Sequence, residues 1–260
     1  MKISVAVIAF NEADRIADAL KSCRAVADEC LVVDSGSTDQ TAAIARNLGA
    51  RVIQHPFQDY GSQKNIARRL CRHDWVLNLD ADERISPELE RALLNLKRNP
   101  PEAHISGFQI RRKTAYLGRW IGHGGWYPDR KLRLFRRDHA VWVGRVHERL
   151  ELKGEVDTLP GHILHYTYRD LADHVSRLNR YSTLQAEDLV EKRKRFLLLN
   201  AFLRPPLTFM RCYLWRGGFR DGFPGLVIAL ISAWSTGLKY LKARSLRRPS
   251  PPPPWDTTGH

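Results

Sequence analysis

Two periods govern the hydrophobic positions in the N-terminal third of the chain, and the switches between them mark its elements. Residues 3–9 set Val and Ile beside small side chains and read as a buried strand. Ile16, Leu20, Cys23 and Val26 then recur at helical spacing as the inner face of an amphipathic helix, with Asn11 placed to cap it. Residues 30–33 are a second strand, closing on Asp34. After the turn Ser35-Gly36-Ser37, Ser37 and Gln40 have the spacing of a capping box for a helix through Ile44 and Leu48 that Gly49 stops. Residues 51–53 form a third strand. A basic helix near residues 63–70 leads into a fourth, Trp75-Val76-Leu77-Asn78-Leu79, and residues 83–87 read as a turn into a helix starting near Pro87. This alternation predicts a parallel, doubly wound α/β sheet.

Farther along, residues 106–113 and 131–136 read as strands around a loop rich in Gly and Trp, residues 120–129, and a β-rich stretch runs to about residue 168. A charged helical segment follows, from Asp170 to about Arg195, then a hydrophobic basic segment and a Pro-rich end expected to be disordered.

The chain has 260 residues, 43% of them hydrophobic, enough for a sizeable core. Its net charge of +14 comes almost wholly from one end: residues 1–191 hold 29 Lys/Arg against 26 Asp/Glu, and residues 192–260 hold 13 against 2. A basic tail on a near-neutral domain calls for an anionic partner, either a membrane surface or a nucleic acid. Cys23, Cys30, Cys71 and Cys212 have neither C-x-x-C spacing nor histidine companions, which fits buried free thiols in a reducing compartment. The apolar run after Met1-Lys2 ends in Asn11-Glu12-Ala13-Asp14-Arg15 with no small-residue cleavage site, and so reads as a strand rather than an export signal.

The sharpest chemical feature is Asp80-Ala81-Asp82, two carboxylates at the C-terminal end of the fourth strand, where α/β sheets bind ligands. Their oxygens suit a hard divalent cation that also holds a diphosphate. A dinucleotide site would need glycines in the first strand-to-helix turn, and Ala9-Phe10-Asn11-Glu12 has none. No G-x-x-x-x-G-K-[ST] is present, and a phosphohydrolase nucleophile is missing from residues 3–10. If a diphosphate binds, its charge must be offset by a cation at the D-x-D, which is the arrangement of a nucleotide-sugar transferase.

The motifs themselves carry a family resemblance. Ala9-Phe10-Asn11-Glu12 is similar to the first-strand P-x-Y-N-E of the family 2 glycosyltransferases. Val33-Asp34-Ser35-Gly36-Ser37-Thr38-Asp39-Gln40-Thr41 is close to their V-D-D-G-S-T-D-x-T, with Ser35 in place of the second Asp, and Leu79-Asp80-Ala81-Asp82 matches their metal-binding motif. The remainder looks like the subgroup that includes the bacterial lipopolysaccharide-core β-1,4-glucosyltransferases. It shares Gly125-Trp126-Tyr127-Pro128-Asp129-Arg130-Lys131-Leu132-Arg133-Leu134-Phe135, Val146-His147-Glu148, His165-Tyr166 and a basic hydrophobic C-terminus.

The resemblance implies a GT-A fold, a Rossmann-like nucleotide-diphospho-sugar transferase, with a C-terminal helical, membrane-associating segment. The catalytic domain is expected over residues 1–168, its nucleotide-binding half 1–90 and its acceptor half 91–168. A helical basic region over 169–248 and a tail over 249–260 follow. Asp34 is implied to bind the donor's uracil or ribose, with Phe10 and Glu12 in the same pocket and Lys64, read as a surface lysine, toward the nucleotide. Asp82 is implied to ligate Mg²⁺ or Mn²⁺, and Asp80 to meet the ribose or the metal. An inverting transfer also needs a carboxylate base. Glu148 is the first choice and Asp129 the second. Arg130, Arg133 and Arg136 are candidates for an anionic acceptor. His147 and His165 read first as structural histidines, with His165 a candidate third ligand.

Residues 223–238 carry no charge but fall short of the roughly 20 residues that span a bilayer. Basic residues on both sides favour a helix lying on an anionic surface over one crossing it, the alternative being a buried core helix. The expected activity is transfer of glucose from UDP-glucose to a lipid-linked saccharide at the cytoplasmic face of the inner membrane, peripherally bound. A polyprenyl phosphate or other envelope glycan is the alternative acceptor. A basic nucleic-acid-binding protein does not need the long apolar run in its tail.

Overall fold

The computed structural model describes residues 1–144 and 148–247; Val146, His147 and the Pro-rich tail lie outside them. The chain forms two compact units, residues 1–115 with 127–167, and residues 116–126 with the segment from Tyr168 on.

The first unit is built on β1 (Ile3–Ala9), which pairs in parallel with β2 (Glu29–Asp34) on one side and β4 (Trp75–Asp80) on the other. β3 (Arg51–Gln54) adds to β2. These strands are buried on both faces, which is why they are runs of Val, Ile and Leu. Ile3, Val5 and Val7 face α1 (Ile16–Cys23) and α4 (Pro87–Arg98) in one core layer. Ala6, Leu31 and Val33 face α3 (Tyr60–Leu70) in the other. α2 (Thr41–Asn47) joins β2 to β3.

Beyond β4 the sheet changes direction. Its order is β3-β2-β1-β4-β8-β6-β11-β5, with β5 Glu83–Ile85, β6 Ile105–Tyr116, β8 Asp129–Arg136 and β11 Glu155–His165. β7 (Arg119–Trp120) belongs to the second unit, and β9 (Ala140–Val143) pairs with β10 (Arg149–Leu152) as a separate ribbon. β4 and β8 run antiparallel, as do β6 and β8. Residues 83–85, expected as a turn, are a strand because β11 pairs with them, His165 opposite Glu83.

Two expected caps are replaced by contacts across the sheet edge. α2 has no side-chain cap; Ser37 instead donates its hydroxyl to Asp34. Asn11 caps nothing either: at φ 53° its side chain accepts from the Thr38 amide.

The second unit contains α5 (Leu171–Glu191), α6 (Leu197–Met210) and α7 (Gly222–Arg247). Ala186, Leu197, Ala201, Tyr240 and Ala243 form their shared core. A second cluster gathers Tyr116, Ile121, Trp126 and Tyr168 against Ile228. α7 is therefore partly a core helix, while Phe223, Leu230, Trp234 and Leu241 on it remain exposed. Lys242, one of the basic residues that follow the uncharged run, donates to Asn179, Ser182 and Thr183 of α5 and is structural. Among the described residues no helix is long and apolar enough to cross a membrane.

Candidate active site

Because β1, β2 and β4 are parallel, Ala9, Asp34 and Asp80 reach the same sheet edge. The two N-terminal motifs are stitched together there. The Asn11 amide donates to Ser37 Oγ (2.9 Å), the Glu12 amide to Thr41 Oγ1 (2.8 Å) and the Ala13 amide to Asp39 (3.1 Å). Asp34 is fully buried and accepts from both the amide and the hydroxyl of Ser37, so its carboxylate holds the turn. Phe10 is 57% exposed on the same rim, as a ring available for stacking would be.

The structure separates the two aspartates of the D-x-D. Asp80 is ion-paired to Arg133 (2.9 Å) and Lys64 (3.4 Å). Partial burial alone would raise its carboxyl; Arg133 and then Lys64 outweigh that and hold it well below the usual carboxylate range. Lys64 is no surface lysine. It is buried, lies over the Trp142 ring, and its Nζ donates to Glu148 Oε1 at 3.0 Å. Arg133 also binds Glu83 Oε1 at 2.6 Å, and Arg112, 3.4 Å from Glu83, holds Asp129 at 2.8 Å. Glu148, Lys64, Asp80, Arg133, Glu83, Arg112 and Asp129 thus form one chain of alternating charge, with the two base candidates at its ends. Such pairing is what makes these partly buried charges tolerable.

Sequence reading missed the centre of this chain. Glu83, expected in a turn, is fully buried and accepts from the Asp80 amide at 3.0 Å. The expected acceptor face of Arg130, Arg133 and Arg136 does not hold together, because the three side chains diverge. Arg130 is exposed, Arg136 pairs with Asp74 and lies over Trp75, and Arg133 is 4% exposed. The cause is a bulge: Phe108 pairs with Leu134 and Gln109 with Leu132, which leaves Arg133 as an extra residue turned into the site.

Asp82 has a different environment. Its Oδ2 lies 3.4 Å from His165 Nε2, and His165 Nδ1 lies 3.4 Å from Thr114 Oγ1. The Tyr166 amide donates to the Asp82 carbonyl, which fixes the end of β11 beside the motif. One carboxylate oxygen and one imidazole nitrogen, the imidazole oriented through its other nitrogen, fit a divalent cation. Their spacing is near the edge of an octahedral shell, about 3 Å for bonds of about 2.1 Å. Among the described residues no three His, Cys, Asp or Glu side chains converge, so most of such a shell would fall to ligand and solvent oxygens. Arg15 Nη1, buried without a hydrogen-bond partner, lies 3.8 Å from the same Asp82 oxygen. An unsatisfied guanidinium N–H beside a cation-competent carboxylate is suited to an anionic oxygen.

A family model described as glycosyl transferase family 2 matches residues 4–149. A lipopolysaccharide core biosynthesis glycosyltransferase of Rhizobium meliloti, LpsC, is 30% identical over 95% of this chain and 94% of its own length. An uncharacterized glycosyltransferase of Rickettsia typhi is 32% identical over 94% of this chain and 87% of its own. Among solved structures, S. aureus TarS 1-349 in complex with UDP-GlcNAc covers 96% of this chain and 93% of that one, at 17% identity and TM-score 0.48. Glucosyl-3-phosphoglycerate synthase from Mycobacterium tuberculosis, with Mn²⁺, UDP and glucosyl-3-phosphoglycerate, covers 72% and 78% at 20% identity and TM-score 0.48.

Proposed function

This chain belongs to glycosyl transferase family 2, with the GT-A fold; from that premise we propose that it is an inverting, metal-dependent transferase. It moves glucose from UDP-glucose to a lipid-linked saccharide of the lipopolysaccharide inner-core type, working at the cytoplasmic face of the inner membrane. The acceptor class draws support from the similarity to LpsC. The observation that carries the chemistry is the pairing of Asp82 with His165 beside an arginine that has an unsatisfied N–H.

In this reading Asp82 and His165 would hold the cation, and a bound cation would supply charge to offset that of a diphosphate leaving group. Arg15 adds a hydrogen bond to the same oxygens. Asp80 keeps Lys64 and Arg133 in place. The acceptor oxygen attacks the anomeric carbon as the bond to the diphosphate breaks, and its proton passes to a carboxylate. Glu148 suits this role better than Asp129. Lys64 engages only Oε1 of Glu148, whereas Arg112 and Lys131 take both oxygens of Asp129.

Incubating the purified chain with a panel of UDP- and GDP-sugars, with and without EDTA, tests the proposal. UDP-glucose turnover should require Mg²⁺ or Mn²⁺ and should be lost in Asp82→Ala while the fold persists. Full activity in EDTA, or in that variant, would remove the cation from the reading.

A further inference from the structure

The second unit holds a cavity that the transfer chemistry does not use. It measures about 410 Å³ and is lined by Phe196, Leu197, Leu198 and Leu199 at the start of α6 and by Arg244 and Arg247 at the end of α7. That volume lies within the roughly 300–1,000 Å³ of sites that take small ligands.

Three features of this cavity point to one ligand class. First, α6 begins without a side-chain cap at Phe196, so its first-turn amides have no partner there and present the positive end of a fourteen-residue helix. Second, two guanidinium groups line the space. Arg247 is fixed by donating to the Lys194 and Leu189 carbonyls, whereas Arg244 has no hydrogen-bond or ion-pair partner among the described residues. Third, the remaining walls are apolar and run into an exposed strip. Phe196 is 73% exposed, Leu199 57% and Phe202 70%. A phosphate alone would use the first two features and leave the third idle; a single-stranded nucleic acid could stack bases on Phe196 and Phe202 but would gain little from the Leu197, Leu198 and Leu199 wall, which suits acyl chains.

We propose that this cavity binds the phosphate of an anionic glycerophospholipid, with Arg244 and the α6 amides on the head group and the acyl chains along Phe196, Leu199 and Phe202. The basic run Arg193-Lys194-Arg195 immediately precedes α6 in the chain and adds positive charge to this segment, while Lys192 pairs with Asp188. The proposal rests on the reading that the chain works at a membrane surface, and it names the place where that surface is gripped.

The test is co-sedimentation of the full chain with phosphatidylcholine vesicles, with and without phosphatidylglycerol, for the unaltered protein and for Arg244→Glu. Arg244 is exposed and unpaired, so its replacement should leave folding and UDP-glucose binding intact. The unaltered chain should prefer the phosphatidylglycerol vesicles, and Arg244→Glu should bind them about tenfold more weakly. Phe202→Ser should weaken binding too, without altering the preference for anionic lipid. If the unaltered chain ignores both vesicles, the membrane reading itself fails. If it binds while Arg244→Glu binds equally well, the cavity proposal fails and the membrane reading stands. Glycerol phosphate or a single-stranded oligonucleotide displacing the protein as effectively as short-chain phosphatidylglycerol, compared at equal phosphate concentration, would overturn the lipid assignment.

Discussion

At the scale of single residues, the site is governed by which carboxylate oxygen is already engaged. Glu148 keeps Oε2 clear of Lys64, so Glu148→Gln should cut turnover by about 10²-fold or more with donor affinity little changed. Asp129→Asn should mainly disturb the Arg112 contact and cost far less. Single-turnover kinetics with both variants checks this, and the reverse ranking would exchange the two roles. Lys64→Met predicts a different signature. It removes the cation shared by Glu148 and Asp80 and leaves two partly buried carboxylates facing a diphosphate, so the Kd for the donor should rise at least about tenfold. Equilibrium donor binding measures that directly.

At the scale of elements, close approaches and irregular pairings place the chemistry. The bulge at Arg133 turns a strand residue into the central cation of the charge chain. The short strand β5 matters because β11 pairs with it and so delivers His165 to Asp82. β11 reaches that position by passing very close to α4: Gly161 has φ 89°, and a Cβ there would lie 2.3 Å from the Leu89 amide nitrogen. Gly161→Ala combines a left-handed backbone with a backbone clash, and should destabilise the fold by about 2 kcal/mol or more. A thermal melt reads this, and a melting temperature unchanged in that variant would contradict the packing described.

At the scale of the whole molecule, the two units should respond differently to acid. In the second, Tyr168 stacks on His174, whose Nδ1 is 2.6 Å from the Tyr116 hydroxyl. Burial lowers the His174 pKa from 6.5 to about 4, so the folded state holds the ring neutral. The unfolded chain takes up the proton first, and the stability that depends on the neutral ring is complete above about pH 6.5 and is lost as pH falls toward 4. In the first unit, Glu29 is held low: burial opposes this, but the Arg72 amide, Ser4 and Arg51 outweigh it. Its contribution is present above the ordinary glutamate range and disappears only in stronger acid. Thermal melts from pH 7 to 4 should therefore show an early loss that His174→Phe abolishes. Lys242→Met should weaken the α5–α7 pairing at every pH, since one ammonium group serves acceptors on Asn179, Ser182 and Thr183.

Much of the first unit was legible from the chain alone, because local signals there agree with the fold. The Val and Ile runs of β1, β2 and β4 must be buried on both faces, the helical stripe of Ile16, Leu20 and Cys23 must face them, and Ser86-Pro87 must open a helix. The three N-terminal motifs therefore fell on the strand ends where parallel pairing gathers them. What stayed hidden depends on partners distant in sequence. Ser37 and Asn11 have the composition of helix caps, yet each found a better acceptor or donor across the sheet edge. Lys64 reads as surface-exposed on a basic helix until Glu148 and Asp80 arrive beside it to offset its burial. Glu83 carries no motif and Arg133 is one charge inside a longer one, and only the pairing of β8 with β6 and of β11 with β5 makes them the buried centre of the site. Residue types and their periods determine which side chains must leave water. Which charges then meet is decided by strand register, because a shift of one residue moves a side chain to the opposite face.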